Sequence, residues 1–169
     1  MRKILSSNDT REIALKTVGE IAAVVKATLG PGGRTIILQQ NGQNPDGSPA
    51  TPIINKDGVS VAEHVVYRDA AKNTVAQAVI QVAKNTVNQA GDGTTTAMVL
   101  AEAMLRAGHR HLSSGANEIQ LYEELKAIRD KVINELKNCS MAIKPEDLLD
   151  VARISANGDE EVARVVSES

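Results

Sequence analysis

The sequence predicts a mainly α-helical protein, a helical bundle that carries one small β-hairpin. Three observations lead there. Apolar residues recur at spacings of three and four through four long stretches, the pattern of amphipathic helices. Only two short runs rich in β-branched residues, at 35–38 and 53–55, break that pattern. The chain also has no Phe and no Trp, and only Tyr67 and Tyr122. Its core must therefore be Val, Ile, Leu, Ala and Met, which suits helices in close approach. With 169 residues the chain is long enough to bury a core. Its 42% hydrophobic and 24% charged residues favour a globular fold over disorder.

The first helix is predicted over residues 9–28, where Ala14, Val18, Ile21 and Val25 share a face. Asp9 and Glu12 have the spacing of a capping box. Gly30-Pro31-Gly32-Gly33 ends the helix, because proline cannot continue it and glycine favours a turn. Thr35-Ile36-Ile37-Leu38 reads as a strand, the polar stretch 39–52 as a loop, and Ile53-Ile54-Asn55 as the returning strand. A two-stranded ribbon is marginal alone in water, so this hairpin is expected to seek a partner edge on another chain.

Lys56-Asp57-Gly58 is a turn, followed by a short helix over 59–65. A long helix is predicted over 69–90, with Val75, Ala78, Val79, Val82 and Ala83 on one stripe. Gly91-Asp92-Gly93 breaks it, and a third long helix covers 94–112 with Ala97, Leu100, Ala101, Met104 and Leu105 inward. Asn117 caps a fourth, running to about residue 138 with Tyr122, Leu125, Ile128, Val132 and Leu136 aligned. Pro145 is placed as a first helical residue, with Leu148, Val151 and Ala152 as the apolar positions that follow. Asp159 opens a last amphipathic stretch, whose pattern is unfinished at Ser169.

Composition excludes several classes. No apolar run approaches the roughly 18 residues that span a bilayer, and the start lacks a signal-peptide stretch, so no membrane is expected. The single cysteine, Cys139, forbids an internal disulfide framework and fits a reducing, cytoplasmic compartment. A net charge of -2 and the scarcity of aromatic rings argue against nucleic acid as a partner.

Three loops carry the chemistry. They are Thr28-Leu29-Gly30-Pro31-Gly32-Gly33, Asn55-Lys56-Asp57-Gly58 and Gly91-Asp92-Gly93-Thr94-Thr95-Thr96. The third puts an Asp, a Gly and three hydroxyls where a helix begins, and free N–H groups and the helix dipole there favour an anion. Gly93 lets the backbone approach a phosphate closely. Asp92 would repel a bare phosphate, so its presence suggests Mg²⁺ between the two. The loop is not a Walker motif, since Gly-x-x-x-x-Gly-Lys-[Ser/Thr] is absent, and it lacks the Rossmann glycine spacing. A simple helix–helix turn with a hydroxyl cap is the alternative for this loop by itself.

The ordered set of strings closely resembles the group I chaperonins, the GroEL type. The strings are Ala27-Thr28-Leu29-Gly30-Pro31, Lys56-Asp57-Gly58-Val59-Ser60-Val61-Ala62, Ala90-Gly91-Asp92-Gly93-Thr94-Thr95-Thr96-Ala97 and Ile154-Ser155-Ala156-Asn157. The resemblance implies a bundle of the chaperonin equatorial-domain type over residues 1–138, the N-terminal part of that ATP-binding domain. It makes 139–169 the incomplete beginning of the intermediate hinge domain. It places Thr28, Leu29, Gly30 and Pro31 along the nucleotide. Asp92 becomes the Mg²⁺ ligand, and Gly93, Thr94, Thr95 and Thr96 the phosphate cradle. Lys56 falls near the terminal phosphate and a K⁺ site, and Asp57 is the catalytic residue that positions the attacking water. The implied cofactors are ATP, Mg²⁺ and K⁺. The implied partners are identical subunits in a ring, unfolded client proteins and a lid co-chaperonin.

Departures accompany the likeness. The 39–52 loop is longer than the family's turn, Asn55 stands for a usual threonine, and Gly32 for a usual lysine. The apical domain and the C-terminal equatorial half, with a second carboxylate, have no counterpart in these 169 residues. The chain is therefore expected to be a fragment, or a truncated gene product, inactive alone as an ATPase. A non-catalytic helical assembly fragment is the rival reading. His109 and His111 are two apart, poor geometry for one metal. His64 shows no evident partner in the sequence. Met98 and Met104 read as core filler, and Cys139 as a spectator.

Overall fold

The computed structural model describes residues 7–30, 32–38, 48, 50–156 and 158–168. Pro31, Asn157 and most of the 39–52 loop, all singled out above, lie outside the described residues. The order is α1 (Ser7–Lys26), β1 (Ile36–Leu38), β2 (Ile53–Asn55), α2 (Gly58–Glu63), α3 (Ala70–Ala90), α4 (Thr94–Ser113) and α5 (Glu118–Cys139). A 3₁₀ turn (Pro145–Asp147), α6 (Leu148–Ser155) and α7 (Glu160–Glu168) complete it. The chain forms two compact units, Met1–His111 and Leu112–Ser169.

In the first unit, Val18, Ile21 and Val25 of α1 pack with Ala62 of α2, Ala76, Val79, Ile80 and Ala83 of α3, and Met98 of α4. These are small or aliphatic side chains, as the aromatic-poor sequence requires. Around this core Tyr67 and Glu20 pair, and Lys72 closes on both. Its Nζ lies 3.2 Å from the Glu20 carboxylate and 5.1 Å from the centre of the Tyr67 ring. Burial, then the hydrogen bond and charge of Glu20, push the Tyr67 hydroxyl up to about 12.

The hairpin forms as expected. β1 and β2 pair antiparallel, with Ile36 opposite Asn55, Ile37 opposite Ile54 and Leu38 opposite Ile53. Ile37 and Ile54 face each other across the ribbon and are 70% and 68% exposed.

Three readings of burial are corrected. On α3 the covered arc is Ala76, Val79, Ile80 and Ala83, while Ala78 and Val82 are exposed. On α4 the buried stripe is Thr94, Met98 and Glu102, and Leu100, Met104 and Leu105 face outward. Both helices are apolar over a wide arc, so periodicity finds the arc but not the part that neighbours cover. On α5 the aligned residues Tyr122, Leu125, Ile128, Val132 and Leu136 are all exposed. The first helix also begins before Asp9, which lies in its first turn, so Asp9 and Glu12 do not form the predicted cap. Asn117 caps α5 as predicted, its Oδ1 accepting the N–H groups of Ile119 and Gln120. Among the described residues no helix is long and apolar enough to cross a membrane.

Candidate functional site

The three loops meet at Gly58, the first residue of α2. A Cβ placed there would lie 2.6 Å from Thr95 Oγ1, 2.9 Å from Thr28 Oγ1 and 2.9 Å from Val25 Cγ1. Contacts under 3 Å mean that any side chain there would force these neighbours to shift. One position therefore touches the end of α1, the start of α2 and the first turn of α4. Thr28, Gly58 and Thr95, one from each string and far apart in sequence, come together in the first unit.

Each loop has a local reason for its shape. After α1, Thr28 Oγ1 donates to the Val25 carbonyl at 2.8 Å, and Arg34 N–H returns to the Ala27 carbonyl at 2.7 Å. This return packs Gly33 so tightly that a Cβ there would run into the Thr28 carbonyl. Asn55 Oδ1 accepts the Asp57 N–H at 2.8 Å, a structural use for the residue that departs from the family's threonine. The Asp57 carboxylate then caps α2. It accepts from Val59 N at 3.3 Å, Ser60 N at 2.9 Å and Ser60 Oγ at 2.7 Å. Burial pushes this carboxyl up, but the hydrogen bonds from Ser60 and Val59 outweigh it and leave Asp57 below the usual carboxylate value. His64, at the other end of α2, does have a partner: its Nδ1 lies 2.6 Å from the Ser60 carbonyl oxygen.

The third loop is open to solvent. Gly91 ends α3 at φ 75° and Gly93 precedes α4 at φ 82°, left-handed conformations that favour glycine. Nothing lies within 4 Å of where a Cβ on either would be. Gly93 caps α4 through its carbonyl, which accepts the Ala97 N–H at 2.9 Å. Asp92 Oδ1 accepts the Gly93 N–H at 2.6 Å. Among the described residues the second Asp92 oxygen makes no hydrogen bond. Thr94 is buried, Thr95 half-buried, and Thr96, Leu29, Gly30, Lys56 and Asp92 are exposed.

This donor set fits a metal–polyphosphate group. Mg²⁺ is commonly held by one or two carboxylates, with phosphates and water completing its shell. Asp92 supplies one carboxylate beside the positive end of a 20-residue helix. Among the described residues no group of three or more His, Cys, Asp or Glu could hold a metal by protein ligands alone.

Lys26, Glu102 and Arg106 are not singled out by the sequence reading. Glu102 is 8% exposed, and its carboxylate takes Lys26 Nζ at 3.0 Å and Arg106 Nε and Nη2 at 2.9 and 2.6 Å. The hydrogen bonds from Arg106, then Lys26, hold this carboxyl below its ordinary value. The four-residue spacing of Glu102 and Arg106 is a local signal. Lys26 is 76 residues from Glu102, and no local pattern links them.

Residues 21–169 match the TCP-1/cpn60 chaperonin family. The chain is also similar to the chaperonin gp146 from the bacteriophage EL 2 (Pseudomonas aeruginosa), solved in the presence of ATP-BeFx in two crystal forms. Identity is 30% in both, with TM-scores of 0.73 and 0.74. The match covers 95% of this chain and 27% of the phage protein, so the chain spans about a quarter of that relative's length.

Proposed function

Since the chain belongs to the TCP-1/cpn60 chaperonin family, we propose that it is the ATP-holding portion of a chaperonin that promotes protein folding through ATP-driven conformational cycling. In this reading residues 1–138 are the N-terminal part of the equatorial domain and 139–169 the beginning of the hinge domain. The observation that carries the proposal is the convergence of Thr28, Gly58 and Thr95 at one point. That convergence sets the first two loops beside the first turn of α4, whose N-terminus is open to solvent and favours an anion. The phage relative solved with ATP-BeFx supports ATP as that anion.

The chain's own residues take these parts. The N–H groups of Thr94, Thr95 and Thr96 and the α4 dipole attract the phosphates, and Gly93, with no side chain, lets them approach the backbone. Asp92 offers its second oxygen to Mg²⁺, which when bound supplies charge neutralisation along the phosphates. Thr28, Leu29, Gly30 and Pro31 line the nucleotide from the α1 side. Lys56, exposed beside α2, adds positive charge near the terminal phosphate and a K⁺ ion. Asp57 stays ionised at neutral pH and orients water through an acceptor oxygen. Phosphoryl transfer asks mainly for positioning and charge neutralisation, which such a set can supply. Ring assembly with identical subunits uses the hairpin edge, where Ile37 and Ile54 are exposed. Client proteins and a lid co-chaperonin are proposed as partners of the assembled machine, in the cytoplasm.

Calorimetry with Mg·ATP tests the proposal. The wild-type chain binds, and Asp92→Ala weakens binding by about tenfold or more, some 1.4 kcal/mol. With EDTA present the two proteins become alike. Equal Mg²⁺-dependent binding by both overturns the assignment of Asp92, and no binding by the wild type overturns the nucleotide reading.

A further inference from the structure

We propose that the Lys26–Glu102–Arg106 cluster positions the nucleotide site by fixing the end of α1 at one station along α4. The inference rests on the nucleotide reading above and extends it to three residues that lie outside the three loops.

The argument begins with where the two helices meet. Thr28, just beyond α1, and Thr95, in the first turn of α4, converge on Gly58. Further along, Lys26 reaches Glu102 at 3.0 Å. Further still, Arg106 Nη2 lies 3.5 Å from where a Cβ on Gly19 would be. Residue numbers fall along α1 as they rise along α4, so the two helices run antiparallel along this line of side-chain approaches, with the loops at one end. Glu102 follows Thr94 and Met98 on the same buried stripe, roughly 12 Å down the helix from Thr94.

Two kinds of contact hold this seam, and they do different work. Met98 packs against the core that includes Val18, Ile21 and Val25 of α1. Such contact is cohesive but non-directional, and methionine adapts to small shifts. The carboxylate is directional. One Glu102 oxygen takes the guanidinium through two N–H groups, and the other takes the Lys26 ammonium. α1 packs chiefly on α2 and α3, so a slide of α1 relative to α4, or a turn of α4 about its axis, is opposed here by these directional bonds. Only Glu102 is buried; the Lys26 and Arg106 side chains are substantially open to solvent, and ion pairs with such exposed cations add little net stability. What this cluster adds is register. Lys26 is two residues from Thr28, so register at Glu102 becomes register between the first and third loops.

The test uses the full 169-residue chain with Lys26→Met, Glu102→Met and Arg106→Leu combined, an apolar replacement chosen to keep the fold. Amide hydrogen exchange without nucleotide reads the loops directly. The reporters are the Arg34 and Ala97 N–H groups, bonded to the Ala27 and Gly93 carbonyls, and Asn73 is the control. Exchange at Arg34 and Ala97 is expected to quicken by about tenfold while Asn73 is unchanged. Mg·ATP affinity should fall by a similar factor. Lys26→Arg, which keeps the charge, should stay near wild type in both readings. Should the triple variant not fold, Lys26→Met alone removes the α1 arm and leaves the Glu102–Arg106 pair. Unchanged exchange at the two reporters overturns the proposal. So does faster exchange with unchanged affinity, since the register would then not serve the ligand. A wild-type chain that binds no Mg·ATP would refute the nucleotide reading separately, and the exchange result would still decide whether the cluster sets the loops.

Discussion

Gly58 shows how a single residue can be decided by space. Its backbone is not in the left-handed region, so conformational freedom is not what it supplies. Thr95 Oγ1, Thr28 Oγ1 and Val25 Cγ1 occupy the volume a side chain would need. Gly58→Ala should therefore cost about 1–3 kcal/mol by overpacking, measured by urea denaturation, and weaken Mg·ATP binding with it. An unchanged urea midpoint would mean that the three loops do not meet. The sequence marks Gly58 only as part of a turn, because the crowding comes from residues 30 and 37 positions away. Glu102 is a residue-scale case of charge. Its folded-state carboxyl lies below the ordinary value of 4.5. A depressed carboxyl contributes stability fully above its unfolded value and loses it as pH falls through the folded one. Stability should thus be level from neutral pH to about pH 5, then decline below about pH 4.5. In Glu102→Gln the decline should be shallower, the Asp57 contribution of the same sign remaining. Urea midpoints from pH 7 to pH 3 check this, and parallel curves for the two proteins would contradict it.

At the scale of elements, helix ends were more legible than helix faces. Asn117 is a short polar residue whose side chain reaches back to free N–H groups nearby, so chain position alone suggests it, while Asp57, read from the sequence as part of a turn, caps α2 in the same way. A covered face depends on what lies beside it. That is why Ala78, Val82, Leu100, Met104 and Leu105 were expected inward and are exposed or at the surface. The stripe on α4 that is covered ends in a glutamate, a residue that periodicity would assign to solvent. Burial is tolerable there because Lys26 and Arg106 satisfy it. The seam between α1 and α4 yields a further expectation. Gly19 lies inside α1, where glycine costs about 1 kcal/mol relative to alanine. A Cβ there would meet Arg106 Nη2 at 3.5 Å, an ordinary contact. Gly19→Ala should raise thermal stability by a few degrees, consistent with about 0.5–1 kcal/mol. A lower melting temperature would show that the guanidinium needs that space.

For the whole molecule, the apolar face of α5 is the largest departure from expectation. Leu125, Ile128, Val132 and Leu136 align as predicted, yet Ile128 is 56% exposed and no residue of α5 is buried. Contiguous exposed apolar surface binds hydrophobic dyes and other apolar surface. The chain should enhance anilinonaphthalene sulfonate fluorescence at neutral pH, and Ile128→Lys with Val132→Lys should remove most of that signal while leaving helicity unchanged. A variant as bright as the wild type would place the dye elsewhere. The order of helices, the hairpin, the Asn117 cap and the three glycine-bearing loops were determined by the sequence, because each is set by spacing and backbone preference within a few residues. The tertiary structure alone decided that the loops share Gly58 as a meeting point, that Glu102 is buried between two cations, and that the α5 stripe stays uncovered. Each of those depends on residues tens of positions apart reaching the same place, and local periodicity carries no record of distance through space.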